Sequence, residues 1–208
     1  MSKADGKLRQ SMHPHGFHGR VFSWFMDRFN ARAHKFALRR LDVQPTDSIL
    51  EIGFGTGRLA KRLAKTARSG FVAGVDPSEL MLQTAEKRTK KFRKKGRVEL
   101  KLSEASALPW PDATFDKVAA LHSFQFWSDP DHDIAEVHRV LKPGGLLLLI
   151  LRAHRKAGPK WLPNHISRSG QEIAGAFELL ANSGFSETRI EGKAGSSAVL
   201  TARKAGGA

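Results

Sequence analysis

The stretch Glu51-Ile52-Gly53-Phe54-Gly55-Thr56-Gly57 joins a strand-like apolar run, Ser48–Gly53, to a helix-periodic segment, Arg58–Ala67. Three glycines at alternate positions free the backbone to turn sharply and to approach a bound group closely. A strand, such a turn and a helix open a parallel α/β unit, in which ligands sit at the carboxyl ends of the strands. The alternation continues downstream. Phe71–Asp76 reads as a second strand, Pro77 to about Lys94 as a helix, Arg97–Leu102 and Phe115–Leu121 as further strands, and Pro130–Leu141 as a helix. Lys142-Pro143-Gly144-Gly145 ends that helix and turns the chain into the strand Leu146–Leu151. Short apolar strands alternating with helices predict an α/β fold, a mostly parallel sheet with helices on both faces. The tail differs: Gly170–Asn182 is helix-periodic and closed by Gly184, and Phe185–Glu191 and Ala198–Arg203 read as an antiparallel β-hairpin across a Gly/Ser turn.

The chain has 208 residues, enough for one domain, and no cysteine, which removes disulfides, thiol nucleophiles and cysteine-based metal sites. The opening MSKADGKLRQ lacks the apolar core of a signal peptide. The longest aliphatic run, Leu146–Leu151, is far below the ~20 residues of a membrane helix. The expectation is a cytoplasmic protein. The net charge of +15 is concentrated: residues 1–40 carry nine Lys/Arg against two Asp/Glu, residues 87–97 carry eight and no acid, and the remainder is balanced. Such patches suit nucleic acid, anionic lipid or an acidic ligand, or serve only as solvated faces.

Residues 1–41 read as a basic N-terminal arm and amphipathic cap helix ahead of a domain at 42–204. From Gly19 to Leu41, Phe22, Phe25, Phe29 and Phe36 fall near one face, with Ala33 filling the stripe and arginines opposite. His13, His15 and His18 lie close together without an acidic or cysteine partner, so no metal site is expected.

Asp76 lies 19 residues beyond Gly57, at the end of the second strand, where a carboxylate accepts both hydroxyls of a ribose. A glycine turn plus such an acid fits two kinds of nucleoside cofactor. The dinucleotide fingerprint G-x-G-x-x-G ends on Arg58 when read from Gly53 and on Ala60 when read from Gly55. With the leading Glu51, the turn resembles the first motif, E-x-G-x-G-x-G, of class I S-adenosylmethionine-dependent methyltransferases. Gly74-Val75-Asp76-Pro77-Ser78 and the helix after it resemble the second motif of that family. The segment from Leu102 to Asp116 is similar to its D-A-x-x-L-P-F-x-D-x-S-F-D segment, and Arg139-Val140-Leu141-Lys142-Pro143-Gly144-Gly145 to R-x-L-K-P-G-G. The subgroup most resembled contains the quinone-biosynthesis methyltransferases and many small-molecule enzymes.

The resemblance implies a Rossmann-like seven-stranded sheet, completed by the C-terminal hairpin, and S-adenosyl-L-methionine as cofactor. It implies that Glu51 and the turn Gly53, Phe54, Gly55 and Gly57 hold the methionine part. Asp76 would bind the ribose, Pro77 and Met81 would pack on the adenine, and Glu104 and Ala105 would approach its edge. The family more often has Asp where this chain has Glu104. Gly57 and Met81 also read simply as packing residues.

Methyl transfer runs in line to an N, O or C nucleophile, and positioning and water exclusion supply much of the acceleration. His122, after the fourth strand, is the candidate catalytic base, with a pocket wall as its other reading. Phe124, Gln125 and Trp127, with Phe25 from the N-terminal helix, would line an acceptor pocket for a small molecule. One alternative is an RNA methyltransferase using the basic patches. His122-Ser123-Phe124-Gln125 takes the place of the Asn/Asp-Pro-Pro-aromatic tetrad that amino-methylating nucleic-acid enzymes often carry, so nucleic acid is not the expected partner. Another is a non-catalytic cofactor-sensing or lipid-surface protein, because the basic N-terminal helix allows peripheral membrane contact.

Overall fold

Runs of aliphatic side chains too short for helices, bounded by Gly, Pro and Asp, form the centre of the molecule as strands buried on both faces. The computed structural model describes residues 31–153, 168–193 and 197–206. Strands β1 (Ser48–Ile52), β2 (Phe71–Asp76), β3 (Val98–Leu102), β4 (Phe115–Leu121) and β5 (Leu141–Arg152) pair in parallel. The hairpin strands β6 (Phe185–Lys193) and β7 (Ser197–Lys204) complete a seven-stranded sheet, with β7 antiparallel to β5. The spatial order is β3-β2-β1-β4-β5-β7-β6. The chain therefore reverses direction across the sheet between β1 and β4, a switch point whose carboxyl edge forms a crevice.

Alternate residues of each strand feed two separate cores. Leu50, Ile52, Val118, Leu147, Leu149 and Leu151 pack with α4 (Pro130–Val140) and α5 (Gly170–Asn182). Ile49, Val72, Ala119, Leu148 and Ile150 pack with α1 (Ala31–Leu41), α2 (Arg58–Thr66) and α3 (Glu79–Arg93) on the other face. The fold is thus the expected Rossmann-like one. Among the described residues no helix is long and apolar enough to cross a membrane.

Two boundaries and one helix face differ from expectation. The helix expected from Pro77 begins at Glu79, because the Ser78 hydroxyl caps it by accepting the Met81 N–H. The Lys-Pro-Gly-Gly segment does not separate a helix from a strand. It is the bulged leading end of β5: Leu141 pairs with Phe115, and pairing resumes at Leu146 opposite Lys117. Gly144, at φ +75°, allows the bulge. In α1 the buried residues are Ala33, His34, Ala37 and Leu41, with Phe36 half-buried. The rest of the predicted aromatic stripe, Phe22, Phe25 and Phe29, lies outside the described residues, as do His13, His15 and His18.

The family-like motifs do structural work at the loop before β4. Arg139 of α4 donates to the Trp110 carbonyl (2.9 Å) and the Leu108 carbonyl (3.0 Å), and pairs with Asp112 (2.8 Å) and Glu136 (2.6 Å). The two carboxylates hold its guanidinium above its ordinary range. Asp116 accepts the Ser48 N–H (2.8 Å) and the Lys142 ammonium (2.8 Å), tying the start of β4 to β1 and β5.

Arg139→Ala is expected to destabilise the fold by about 2 kcal/mol, because two carbonyls and a half-buried glutamate lose their donor. That corresponds to a Tm lower by roughly 4–8 °C in calorimetry for a domain of this size. Arg139→Lys should recover only part of it, since an ammonium lacks the planar fork.

Candidate active site

The glycine turn sits at the carboxyl edge, where β1 leaves the sheet. Gly53, Gly55 and Gly57 adopt φ of +76°, +51° and +71°, the left-handed region that L side chains rarely enter. They have different surroundings. A Cβ at Gly53 would lie 2.4 Å from the Cβ of Ser123, and one at Gly57 would lie 2.6 Å from the Cβ of Ala85 in α3. At Gly55 it would meet nothing within 4 Å. The outer two glycines permit close packing of the β4 loop and of α3, while the crest of the turn is open.

Asp76, at the end of β2, reaches across to this crest. Its Oδ2 accepts the Gly55 N–H (2.8 Å) and its Oδ1 accepts the Ser78 N–H (3.0 Å). Arg88 of α3 donates to the Thr56 hydroxyl within the turn (2.7 Å).

The other sequence-predicted residues are distributed around this pair. Glu51 and Phe54 are each 3% exposed, and Phe54 packs where a Cβ on Gly74 would lie 2.8 Å from its ring. Met81 is buried among the apolar side chains of the α1–α3 face, and Ala105 among those of the α4–α5 face. Pro77 is half-buried and Glu104 exposed. Phe25 lies outside the described residues. Past β4, Phe124–Phe126 forms one 3-10 turn. The Phe124 and Trp127 rings stand 4.9 Å apart, tilted at 56°, and pack against the α4–α5 core. The Gln125 side-chain amide folds back to donate to the His122 backbone carbonyl (2.6 Å), and the Gln125 backbone carbonyl accepts from Arg168 (2.8 Å).

His122 lies beside the glycine turn, because its neighbour Ser123 donates from Oγ to the Ile52 carbonyl (2.7 Å). It adopts φ +55°, and its backbone N–H is held by the Ile150 carbonyl of β5 (2.8 Å). Its Nδ1 is buried with no hydrogen-bond partner among the described residues. Burial, then the nearby charges of Arg152 and His34, push its imidazole down to about 3. The ring is therefore neutral at physiological pH. Sequence reasoning missed Arg152, His34 and Asp133. Arg152 reads as the polar end of a strand, and His34 falls in a helix judged by its aromatics. Asp133 of α4 is 1% exposed, and burial raises its carboxyl above the ordinary range. No local pattern separates it from the acids that flank a helix start.

A switch-point crevice with an open glycine turn and an acid on the adjacent strand defines a nucleoside-binding α/β domain. The model described as "Methyltransferase domain" matches residues 50–149. The chain is 28% identical over 173 residues to the uncharacterized methyltransferase YdaC of Bacillus subtilis, covering 83% of this chain and 90% of that one. It is 35% identical over 118 residues to demethylmenaquinone methyltransferase of Symbiobacterium thermophilum, covering 56% of this chain but only 47% of the relative. A crystal structure of a SAM-dependent methyltransferase from Aquifex aeolicus superposes with a TM-score of 0.71 at 23% identity, over 95% of this chain and 97% of that one. The chain carries a methyltransferase domain over residues 50–149 and resembles the class I S-adenosylmethionine-dependent methyltransferases, their quinone-biosynthesis members among them. Its cofactor is S-adenosylmethionine, and the open crest at Gly55 beside the Asp76 carboxylate fits the nucleoside.

Two outcomes separate the roles within the turn. Gly57→Ala should cost about 1–3 kcal/mol, because both its φ and its contact with Ala85 resist a methyl group. Gly55→Ala should fold with a smaller loss yet bind S-adenosylhomocysteine at least tenfold more weakly in calorimetry. A third outcome concerns pH. The folded-state value of His122 lies below its ordinary one, so the stability from its neutral ring is complete above about pH 6.5 and is lost as pH falls toward 3. His122→Gln should therefore lose less Tm than the wild type between about pH 7 and pH 4.5.

Proposed function

We propose that this chain transfers the methyl group of S-adenosylmethionine to an N, O or C nucleophile of a small-molecule acceptor by in-line displacement. The observation that carries the reading is the Asp76–Gly55 contact: it presents a carboxyl group and an unobstructed glycine crest on one side of the switch point. In this reading Glu51 and the turn Gly53–Gly57 orient the methionine part, Asp76 accepts the ribose hydroxyls, and Pro77, Met81, Glu104 and Ala105 surround the adenine. Bound S-adenosylmethionine supplies a sulfonium-activated methyl. The nucleophile's lone pair bonds the methyl carbon as the carbon–sulfur bond breaks and its electron pair passes to sulfur.

The chain's own contribution is positioning. A neutral His122 beside the turn orients a donor group on the acceptor, and an imidazole held to about 3 is a poor carrier for a full proton. Phe124 and Trp127 bound the acceptor side as a rigid aromatic pair.

The distribution of charge favours a small acceptor over RNA. Lys87, Lys90, Lys91, Arg93, Lys94 and Lys95 are exposed toward the C-terminal end of α3. Arg97, just beyond, donates to the Ala64 carbonyl (2.6 Å) and the Gly70 carbonyl (3.4 Å), at the amino end of β2. This patch therefore lies at the sheet edge opposite the glycine turn, and cations there complement the α3 dipole.

Calorimetry with S-adenosylhomocysteine should give one-site binding that Asp76→Ala weakens at least tenfold. A methyl-transfer screen against a metabolite extract should yield a product heavier by one methylene. No binding in the first measurement, with the protein folded, sinks the reading.

A further inference from the structure

The loop that leaves β4 holds two buried polar atoms that the described residues leave unanswered. Gln125 sits in the 3-10 turn Phe124–Phe126 and is 8% exposed. Its Nε2 donates to the His122 backbone carbonyl (2.6 Å). That bond requires the amide nitrogen on this side, so the oxygen is the end turned away from the carbonyl. Gln125 Oε1 is buried and has no hydrogen-bond partner among the described residues, and the same holds for His122 Nδ1. The loop cannot relax to satisfy them, because it is fastened throughout. The His122 N–H is held by the Ile150 carbonyl (2.8 Å) and the Phe126 N–H by the Ser123 carbonyl (2.9 Å). Ser123 Oγ is held by the Ile52 carbonyl (2.7 Å), and the Gln125 carbonyl by Arg168 (2.8 Å). Ser123 also places the loop against Gly53, so both atoms stand beside the glycine turn. A buried polar atom without a partner carries the full cost of its lost water, and folded chains keep few of them. The chemistry of the missing partner follows from the atoms. An amide oxygen only accepts, so what pairs with it must bring an N–H or O–H. A neutral imidazole has one N–H and one bare nitrogen. A hydroxyl or a neutral amine both donates and accepts, so it serves Oε1 with its hydrogen whichever tautomer His122 adopts.

We propose that Gln125, with His122, recognises a hydroxyl or neutral amine on the methyl acceptor. This rests on the methyltransferase reading above. Gln125 acts as a specificity determinant: an acceptor whose donor is capped or missing would bury Oε1 against carbon and leave it unpaired, whereas an O–H or N–H completes it. The Phe124 and Trp127 rings, from residues on either side of Gln125 in the chain, suit a planar ring as the bearer of that group.

The test uses the full chain at pH 8. S-adenosylhomocysteine binding is measured first, and its absence overturns the methyltransferase reading and this proposal with it. The protein saturated with S-adenosylhomocysteine is then titrated with phenol and aniline, and with anisole and toluene, which lack the donor. The indole N–H resonance of Trp127 is followed by NMR. The expected result is saturable shifts, with phenol, aniline or both binding at least tenfold more tightly than anisole and toluene. Gln125→Leu should erase that preference with S-adenosylhomocysteine affinity unchanged, which also reports a folded protein. Gln83→Leu, on the exposed face of α3, should match wild type. Four probes that bind alike, no saturable binding by any of them, or a preference retained in Gln125→Leu overturns the proposal. So does a tenfold loss of S-adenosylhomocysteine affinity in Gln125→Leu, which assigns Oε1 to a donor on the cofactor instead. If Gln125→Leu does not fold, Gln125→Met, closer in shape, takes its place with the same outcomes.

Discussion

Burial of both faces of β1, β4 and β5 is the constraint on which the remainder of the molecule depends. Ile49 and Leu50, Ala119 and Ala120, Leu148 and Leu149 are adjacent pairs pointing to opposite sides, each residue at 0% exposure. Neither side can face water, so helices must cover both, and the connections can leave only at the strand ends. Polar chemistry is thereby confined to the two edges. At the carboxyl edge the chain reverses direction between β1 and β4, and the two departing loops touch at Gly53 and Ser123. A turn with any larger residue at position 53 would push these loops apart and separate the glycine crest from the residues after β4.

The same burial explains what could be read from the sequence. Phe71–Asp76 and Phe115–Leu121 are strands over the expected residues, because a short aliphatic run stopped by Asp or His has one comfortable place in such a sheet. Gly170–Asn182 is likewise as expected, and its Ser169–Glu172 capping box fixes the start. The glycine turn and Asp76 were legible because their spacing is local. The start of β5 was not: Pro143-Gly144-Gly145 has turn chemistry, and only the pairing of Leu141 with Phe115 makes it a bulge within a strand. The cluster of His34, His122 and Arg152 was equally hidden. Its members come from three elements far apart in the chain, and none carries a local signature.

The basic character of the chain also changes meaning once folded. Arg97 holds carbonyls at the end of α2, Arg139 stitches a loop to α4, and Lys117 pairs with Asp47 (2.6 Å) at a half-hidden site. These cations are structural fasteners. The exposed run on α3 is a separate population, and the cluster near His122 a third.

The outer strand β6 pairs irregularly with β7, its register shifting between Ser186 and Arg189 and again between Ile190 and Lys193, with Glu187 at φ +49°. A twice-bulged edge bearing Glu187 and Arg189 offers no long, flat row of amides and carbonyls to another sheet. On the far edge, β3 is only five residues long and turns Glu99 and Lys101 outward as an ion pair. Both margins of the sheet are thus protected against strand-by-strand growth into aggregates, a safeguard that a half-exposed Ile190 would otherwise make necessary.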